Sequence, residues 1–405
     1  MEKLIKTLLV IVIFGSLQVI NASGFEYENP KEIEDGWEVG SIYDSNVKPD
    51  SLFSLIKKIE HKTYDKIHCI LLVKNNKLIF EQYYPGNKYK YWSPTSPSFD
   101  AGVVDYGIDS VHNIHSATKA FTSILIGIAI DKGFIESVDE PIFKFFPEYI
   151  DLRDSLKAKI TIKHLLTCTS GLQWNELDAP KDPSNDLVKL LAKVLNQAIS
   201  DEEYKIILPT DNLIEFILSK PCIAEPGTKW YYSGGDLVLL GEIIKKATGL
   251  RMDKFAAKYL FENLGIENYK WELIDTDIVN AWGMLEIRPR DLAKLGYLFL
   301  NNGKWKNKQI VSKEWLLNSS TKHIDVPITD EAWGKLSYGY QWFLKTTEIN
   351  NKIISYFFRP GVGTQCLAVF PEYNVVLVMT GGYWPSDGPV IEIIEKFILP
   401  SIVTD

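Results

Sequence analysis

The chain has 405 residues, 46% apolar and 24% charged, with 26 Gly and 19 Pro. That balance excludes a disordered, collagen-like or polytopic membrane protein. Net charge is −8 and no stretch concentrates Lys and Arg, so nucleic acid is excluded as a partner, because phosphate binding needs a basic patch.

At about 150 residues per domain the length predicts two or three domains, or one with a large insertion. Lys3 and Lys6 precede a 13-residue apolar run, Leu8 to Ile20, and then the small residue Ala22. This pattern predicts a signal peptide over residues 1–22, cleaved after Ala22, and a periplasmic or secreted protein. The run is short for a bilayer span of about 20 residues, an N-terminal membrane anchor being the alternative. No span is expected in the mature chain. Residues 23–64 read as an N-terminal extension ending in a helix, Ser51 to Glu60.

Ile67 to Val73 and Lys77 to Tyr84 are β-rich runs around Lys74-Asn75-Asn76, which predicts a hairpin. Ser93 to Phe99 reads as a loop. Ser116 to Lys132 predicts a helix, apolar nearly all round from Phe121 to Ile130 and therefore buried, with Gly133 ending it. From Glu140 to about Ser320 the pattern is mostly helical, including Asp236 to Thr248 and a helix from Pro289 to Asn301. Then Tyr338 to Lys345, Lys352 to Phe358, Gln365 to Phe370 and Val375 to Gly381 read as four strands, and Pro389 to Phe397 as a closing helix. Strands at both ends with helices between predict an α+β fold: one antiparallel sheet from residues 65–139 and 336–405, flanked by helices, with a mainly helical domain at 140–335.

Cys69, Cys168, Cys222 and Cys366 form no C-x-x-C pair, and Cys69 and Cys366 lie in apolar runs, so buried free thiols are expected. His112 and His115 lack the carboxylate or Cys company of a metal site.

Three segments carry chemistry. The first is Ser116-Ala117-Thr118-Lys119. A serine hydroxyl needs a neighbouring base, and three-residue spacing sets Lys119 one turn from Ser116. An amine at the base of an apolar helix is disfavoured in its charged form, which suits proton abstraction. A helix start also offers an unpaired N–H for an oxyanion. The second is Trp230-Tyr231-Tyr232-Ser233-Gly234-Gly235-Asp236, where either tyrosine is able to shuttle a proton. The third is Arg359-Pro360-Gly361-Val362-Gly363, where glycines admit close backbone approach, a strand N–H is a second oxyanion donor, and Arg359 is a candidate ligand for a carboxylate.

Taken in this order, Ser116-x-x-Lys119, Tyr232-Ser233-Gly234 and Arg359-Pro360-Gly361 resemble the three motifs of the serine β-lactamase and penicillin-binding-protein superfamily, in its class C-like branch, which also holds esterases and 6-aminohexanoate-dimer hydrolases. Thr161 to Leu172 with Trp174-Asn175-Glu176, Ala281-Trp282-Gly283-Met284, Arg288 to Gly296 and Tyr338-Gly339-Tyr340-Gln341-Trp342 extend the resemblance over residues 65 to 400. It implies a β-lactamase/transpeptidase-like fold, with Ser116 as nucleophile, Lys119 as base, Tyr232 as proton shuttle and the N–H groups of Ser116 and Val362 as oxyanion hole. Arg359, Gly361, Trp174 and Glu176 are the implied substrate-binding residues, and neither metal nor cofactor is required.

Two departures bear on the substrate. The second motif ends in Gly234 where β-lactamases have Asn, and Pro360 stands where the third motif usually has Thr. A small ester or amide is therefore the expected substrate, cleaved through an acyl-enzyme. A D-Ala-D-Ala-type peptidase or β-lactamase, and a non-catalytic penicillin-binding or sensor-like protein, are the alternatives. An α/β-hydrolase is excluded because the chain has no G-x-S-x-G.

Overall fold

The computed structural model describes residues 27–89, 100–174, 176, 212–327, 331–383 and 386–403. The leader at 1–22, the Ser93 to Phe99 loop and Asn175 lie outside the described residues.

A nine-stranded sheet organises the molecule. Its strands are β1 (Glu38–Val39), β2 (Ile67–Lys74), β3 (Lys77–Tyr83), β4 (Ile324–Val326), β5 (Leu336–Tyr338), β6 (Phe343–Ile349), β7 (Lys352–Gly361), β8 (Gln365–Phe370) and β9 (Val375–Gly381). Their spatial order is β1-β3-β2-β9-β8-β7-β6-β5-β4. The pairings are antiparallel except for β1 against β3. The last strand in sequence, β9, pairs with β2, so the sheet closes across the two ends of the chain. This is the α+β arrangement expected from the sequence.

Both faces of the central strands are covered, which is why these runs are apolar throughout rather than alternating. Leu71, Val73, Leu367, Val369, Val376 and Val378 point into one core. Leu72, Cys366, Ala368, Val375, Leu377 and Met379 point into the other. The second core is closed by α1 (Asp50–Glu60) and the helical residues 390–402. The first holds α2 (Lys119–Asp131), α3 (Gly234–Thr248) and α4 (Pro289–Leu300). α2 is buried from Lys119 to Ala129, as its all-round apolar sequence predicts.

The differences from the sequence reading have local causes. The first hairpin turns on Asn75-Asn76 alone, both at positive φ (48° and 68°), a conformation Asn tolerates. The expected strand Tyr338 to Lys345 is two strands, β5 and β6, because Gly339 to Trp342 forms a tight turn with Gln341 at φ 68°. The segment from 269 to 309, read as mostly helical, also carries short strands, among them Tyr269–Trp271 and Leu285–Ile287. The second of these pairs with His112–Asn113, just upstream of Ser116. Cys69, Cys168, Cys222 and Cys366 are free thiols, and all but Cys222 are buried. No described helix is long and apolar enough to cross a membrane.

Candidate active site

The first motif does not start directly as an α-helix. His115–Thr118 forms a 3₁₀ turn and α2 begins at Lys119. His115 takes a positive φ of 46°, so the chain turns sharply into the residue that carries the hydroxyl. The tighter turn keeps the motif's geometry: Ser116 Oγ and Lys119 Nζ lie 3.1 Å apart. Ser116 is half-buried and Lys119 is wholly buried. Lys119 also donates to the Trp282 carbonyl at 2.9 Å, and Thr122 one turn on donates to the Ala281 carbonyl at 2.6 Å. The Ala281-Trp282 block thus aims the amine at the serine.

Tyr232 is the tyrosine that meets this pair. Lys119 Nζ sits 4.7 Å from the centre of its ring. The Tyr231 N–H is tied to the Cys168 carbonyl at 2.8 Å instead. Tyr232 precedes α3, whose N-cap is Ser233, accepting from the Asp236 N–H at 3.0 Å. Asp236 is buried and receives the Ser170 hydroxyl at 2.9 Å, while its Oδ2 has no partner. Burial pushes its carboxyl up to about 8, with Glu176 adding to the rise, so Asp236 is largely neutral at pH 7.

Trp174 and Glu176, expected to bind substrate, are both buried. Glu176 Oε2 accepts from Trp174 Nε1 at 2.8 Å and from the Gly234 N–H at 2.6 Å. A side chain at 234 would put its Cβ 2.9 Å from that same oxygen. The departure from Asn at Gly234 thus has a physical reason: the Glu176 carboxylate fills the space. The pair braces the start of α3.

Arg359 is likewise not where a substrate carboxylate would meet it. Its side chain is 0% exposed. Nε donates to the Ser116 carbonyl at 3.0 Å, Nη1 to the Tyr338 hydroxyl at 2.7 Å and Nη2 to the Tyr232 hydroxyl at 2.9 Å. Because Nη2 donates to the Tyr232 oxygen, that hydroxyl's own proton is free to point elsewhere. Burial pulls the guanidinium down, but Tyr338 and Tyr232 outweigh it and the group stays firmly charged. The Tyr338 hydroxyl donates to Gln341 Oε1 at 2.9 Å, and Gln341 Nε2 donates to the Leu166 carbonyl at 3.0 Å. The Tyr338 to Trp342 block is therefore a brace behind Arg359. The sequence signal for this brace is Gln341, a lone amide among the aromatic residues of that block.

Gly361 ends β7 against the serine turn. A Cβ there would lie 2.4 Å from the Ile114 carbonyl and 3.0 Å from the Ala117 nitrogen, so only glycine admits this approach. Gly361 is thus a spacer, and the contact sets half-buried Val362 one residue beyond it. The first turn of a helix leaves its N–H groups without an intrahelical partner, so Ser116 N–H is available in the same place. The structure brings together Ser116, Lys119, Tyr232 and Val362, with Arg359 beneath them.

A fold of this kind, with a serine–lysine pair at a helix start and a tyrosine and a strand edge beside it, is that of the β-lactamase-related hydrolases. The Beta-lactamase family profile matches residues 69–390, and the chain belongs to that family. It is similar to acyltransferase calJ of Penicillium decumbens, 31% identical over 172 residues, covering 39% of this chain and 37% of that one. Lovastatin esterase of Penicillium rubens is 28% identical over 209 residues, covering 48% of each. The chain thus spans about half or less of these two relatives. The 6-aminohexanoate-dimer hydrolase of Paenarthrobacter ureafaciens is 24% identical over 284 residues, covering 69% of this chain and 67% of that one. Among solved structures, a class C beta-lactamase from Rhodobacter sphaeroides superposes with a TM-score of 0.59 at 14% identity, covering 86% of this chain and 99% of that one.

Proposed function

We propose that the protein is an exported serine hydrolase that cleaves a small ester or amide through an acyl-enzyme on Ser116. The observation that carries this reading is the 3.1 Å approach of Ser116 Oγ to Lys119 Nζ with Tyr232 over the amine. Ser116 Oγ attacks the substrate carbonyl carbon as its proton passes to Lys119 Nζ. The carbonyl oxygen takes the negative charge between the N–H groups of Ser116 and Val362. As the tetrahedral intermediate collapses, the Tyr232 hydroxyl delivers a proton to the leaving alcohol or amine. Water then adds to the acyl carbon, its proton returning through the same relay, and the acid departs. Arg359 acts as a positioning residue that fixes the Tyr232 oxygen and the Ser116 backbone at once.

An esterase and an amide hydrolase among the relatives support both halves of the substrate class. β-Lactam turnover fits this site poorly. Pro360 offers no hydroxyl to an antibiotic carboxylate, Gly234 offers no side-chain amide, and Arg359 is buried with its nitrogens engaged. Losing two such contacts at about 1–3 kcal/mol each weakens transition-state binding by roughly thirtyfold to twenty-thousandfold. The test compares kcat/KM for p-nitrophenyl butyrate, a linear amide and nitrocefin on one preparation. Preference for the ester or amide is expected, and a clear preference for nitrocefin contradicts the substrate class. The apolar leader supports export, checked by N-terminal sequencing of the secreted protein for a start at Ser23.

A further inference from the structure

One carboxylate at the site has no task in this mechanism. Asp387 follows β9 on a segment that is hydrogen-bonded within itself and to Gly363 of the oxyanion turn. The Gly363 N–H donates to the Ser386 carbonyl at 2.7 Å, and the Ser386 N–H donates to the Tyr383 carbonyl at 2.8 Å. The Gly388 N–H donates to the Ser386 hydroxyl at 3.0 Å. Gly388 has φ +65°, and a Cβ there would lie 2.0 Å from Thr364 Oγ1, so the segment packs against Thr364 by the smallness of that glycine. Asp387 lies between these two anchors, Ser386 on Gly363 and Gly388 on Thr364. Its side chain is only half-buried, and among the described residues none donates a hydrogen bond or forms an ion pair with it. Its charged neighbours are Arg359 and Lys119, which temper the rise that burial imposes on its carboxyl. Both cations have their hydrogen bonds elsewhere, Arg359 to three oxygens and Lys119 to Trp282 and Ser116. Among the described residues, Asp387 is thus a carboxylate with unused acceptors, on the segment that packs against the oxyanion turn and within the field of Arg359 and Lys119.

We infer that Asp387 is a specificity-determining residue whose carboxylate receives a cationic group of the substrate, so that the preferred ester or amide carries a protonated or quaternary amine a few atoms from the scissile bond. This rests on the hydrolase reading above and names its substrate class. A half-buried carboxylate without donors is poorly solvated, and a ligand cation supplies the charge partner that the protein withholds. The same group repels a substrate carboxylate, which adds a second reason for poor β-lactam turnover.

The experiment uses three p-nitrophenyl esters of similar acyl length: butyrate, 4-(trimethylammonio)butyrate and the monoester of glutarate. n-Butylammonium and butyrate ions serve as competitive inhibitors of butyrate ester hydrolysis, a comparison independent of which side of the bond bears the charge. Salt at about 0.15 M screens the field of the net −8 chain beyond roughly 8 Å, leaving the local contact. The cationic ester is expected to exceed the anionic one by at least about tenfold in kcat/KM, mainly through KM, and butylammonium to bind more tightly than butyrate by a similar factor. Asp387→Asn should collapse both ratios, and Asp387→Glu, which restores the carboxylate, should recover most of them. Equal ratios in wild type and Asp387→Asn, or a wild-type preference for the anion, overturn the inference. So does an Asp387→Asn variant that alters only the pH profile, which would make Asp387 a counterion of Arg359. If no ester turns over and fluorophosphonate leaves Ser116 unlabelled, the hydrolase reading itself fails, and the inference with it.

Discussion

Two arginines in this protein are 0% exposed, Arg290 and Arg359, and they are partnered in opposite ways. Arg290 meets two carboxylates: Nη1 reaches Asp35 Oδ2 at 2.9 Å, and Nε and Nη2 grip Glu81 at 2.9 and 2.6 Å. Nη2 also holds the Lys31 carbonyl at 2.7 Å. Arg359 meets a backbone carbonyl and two tyrosine hydroxyls, with no carboxylate of a described residue within ion-pair distance. A buried cation neutralised on the spot ties elements together, here α4 and β3 to the N-terminal segment, and exerts little field beyond itself. A buried cation held by neutral oxygens keeps its field, and in a low-dielectric site that field acts on any negative charge that develops nearby. The two arginines come from Arg-Pro sequences or their like (Pro289-Arg290, Arg359-Pro360), yet one is built for cohesion and the other for chemistry.

This contrast orders the expected effects of mutation. The largest concern the reacting groups. Ser116→Ala should abolish turnover to within background, and Lys119→Ala or Tyr232→Phe should each lower kcat by at least about two orders of magnitude, the scale for a positioned acid or base. Tyr231→Phe should change kcat far less, because its backbone rather than its ring is engaged beside the site. A damaging Tyr231→Phe would mean that the wrong tyrosine faces Lys119.

Next come the arginines, in a crossed design. Arg359→Lys should lower kcat for p-nitrophenyl butyrate by about ten- to a hundredfold, since a single ammonium cannot hold three divergent oxygens. KM should move by less than about threefold. Arg290→Met should instead destabilise the fold by about 3–5 kcal/mol, the scale for stranding buried carboxylates, with kcat per folded molecule nearly unchanged. Urea titration and active-site counting separate the two readouts. If Arg290→Met cut kcat as Arg359→Lys does, the distinction drawn between them would be wrong.

The smallest effect is a pH slope. Asp236 has its carboxyl raised from 3.8 to about 8 by burial. The folded state therefore keeps a proton that the unfolded chain loses near pH 4. The resulting stabilisation is complete below about pH 4 and is lost as pH rises through about 8. Asp236→Asn should flatten this component, so that the fall in denaturation midpoint between pH 6 and 9 is smaller than in wild type. An unchanged slope would show that Asp236 is ionised when folded.

The sequence made much of this legible, and unevenly. Apolar runs such as Gln365 to Phe370 and Val375 to Gly381 matched their strands residue for residue, because both faces are buried and the pattern has no competing period. The fold class followed from strands lying at both ends of the chain. The approach of Lys119 to Ser116 was legible because three-residue spacing sets the two one turn apart, whereas Tyr232 rather than Tyr231 came only from the family resemblance. The burial of Arg359, Trp174 and Glu176 was not legible, since residue type gives charge and size but not packing. An arginine in a glycine-bearing turn reads as a ligand group until the structure shows Tyr338 and Tyr232 closed over it. Short strands between 269 and 309 were hidden as well, since two- and three-residue pairings leave no periodic trace.

Everything proposed for this site depends on Ser116 being the nucleophile. Intact-mass spectrometry after fluorophosphonate treatment, with peptide mapping of the product, measures it in one step. A single adduct on Ser116 that is lost in Ser116→Ala is the expected result. A folded protein with no adduct, or an adduct mapped to Ser170 or Ser233, would contradict the claim that the Ser116–Lys119 pair is the reacting centre.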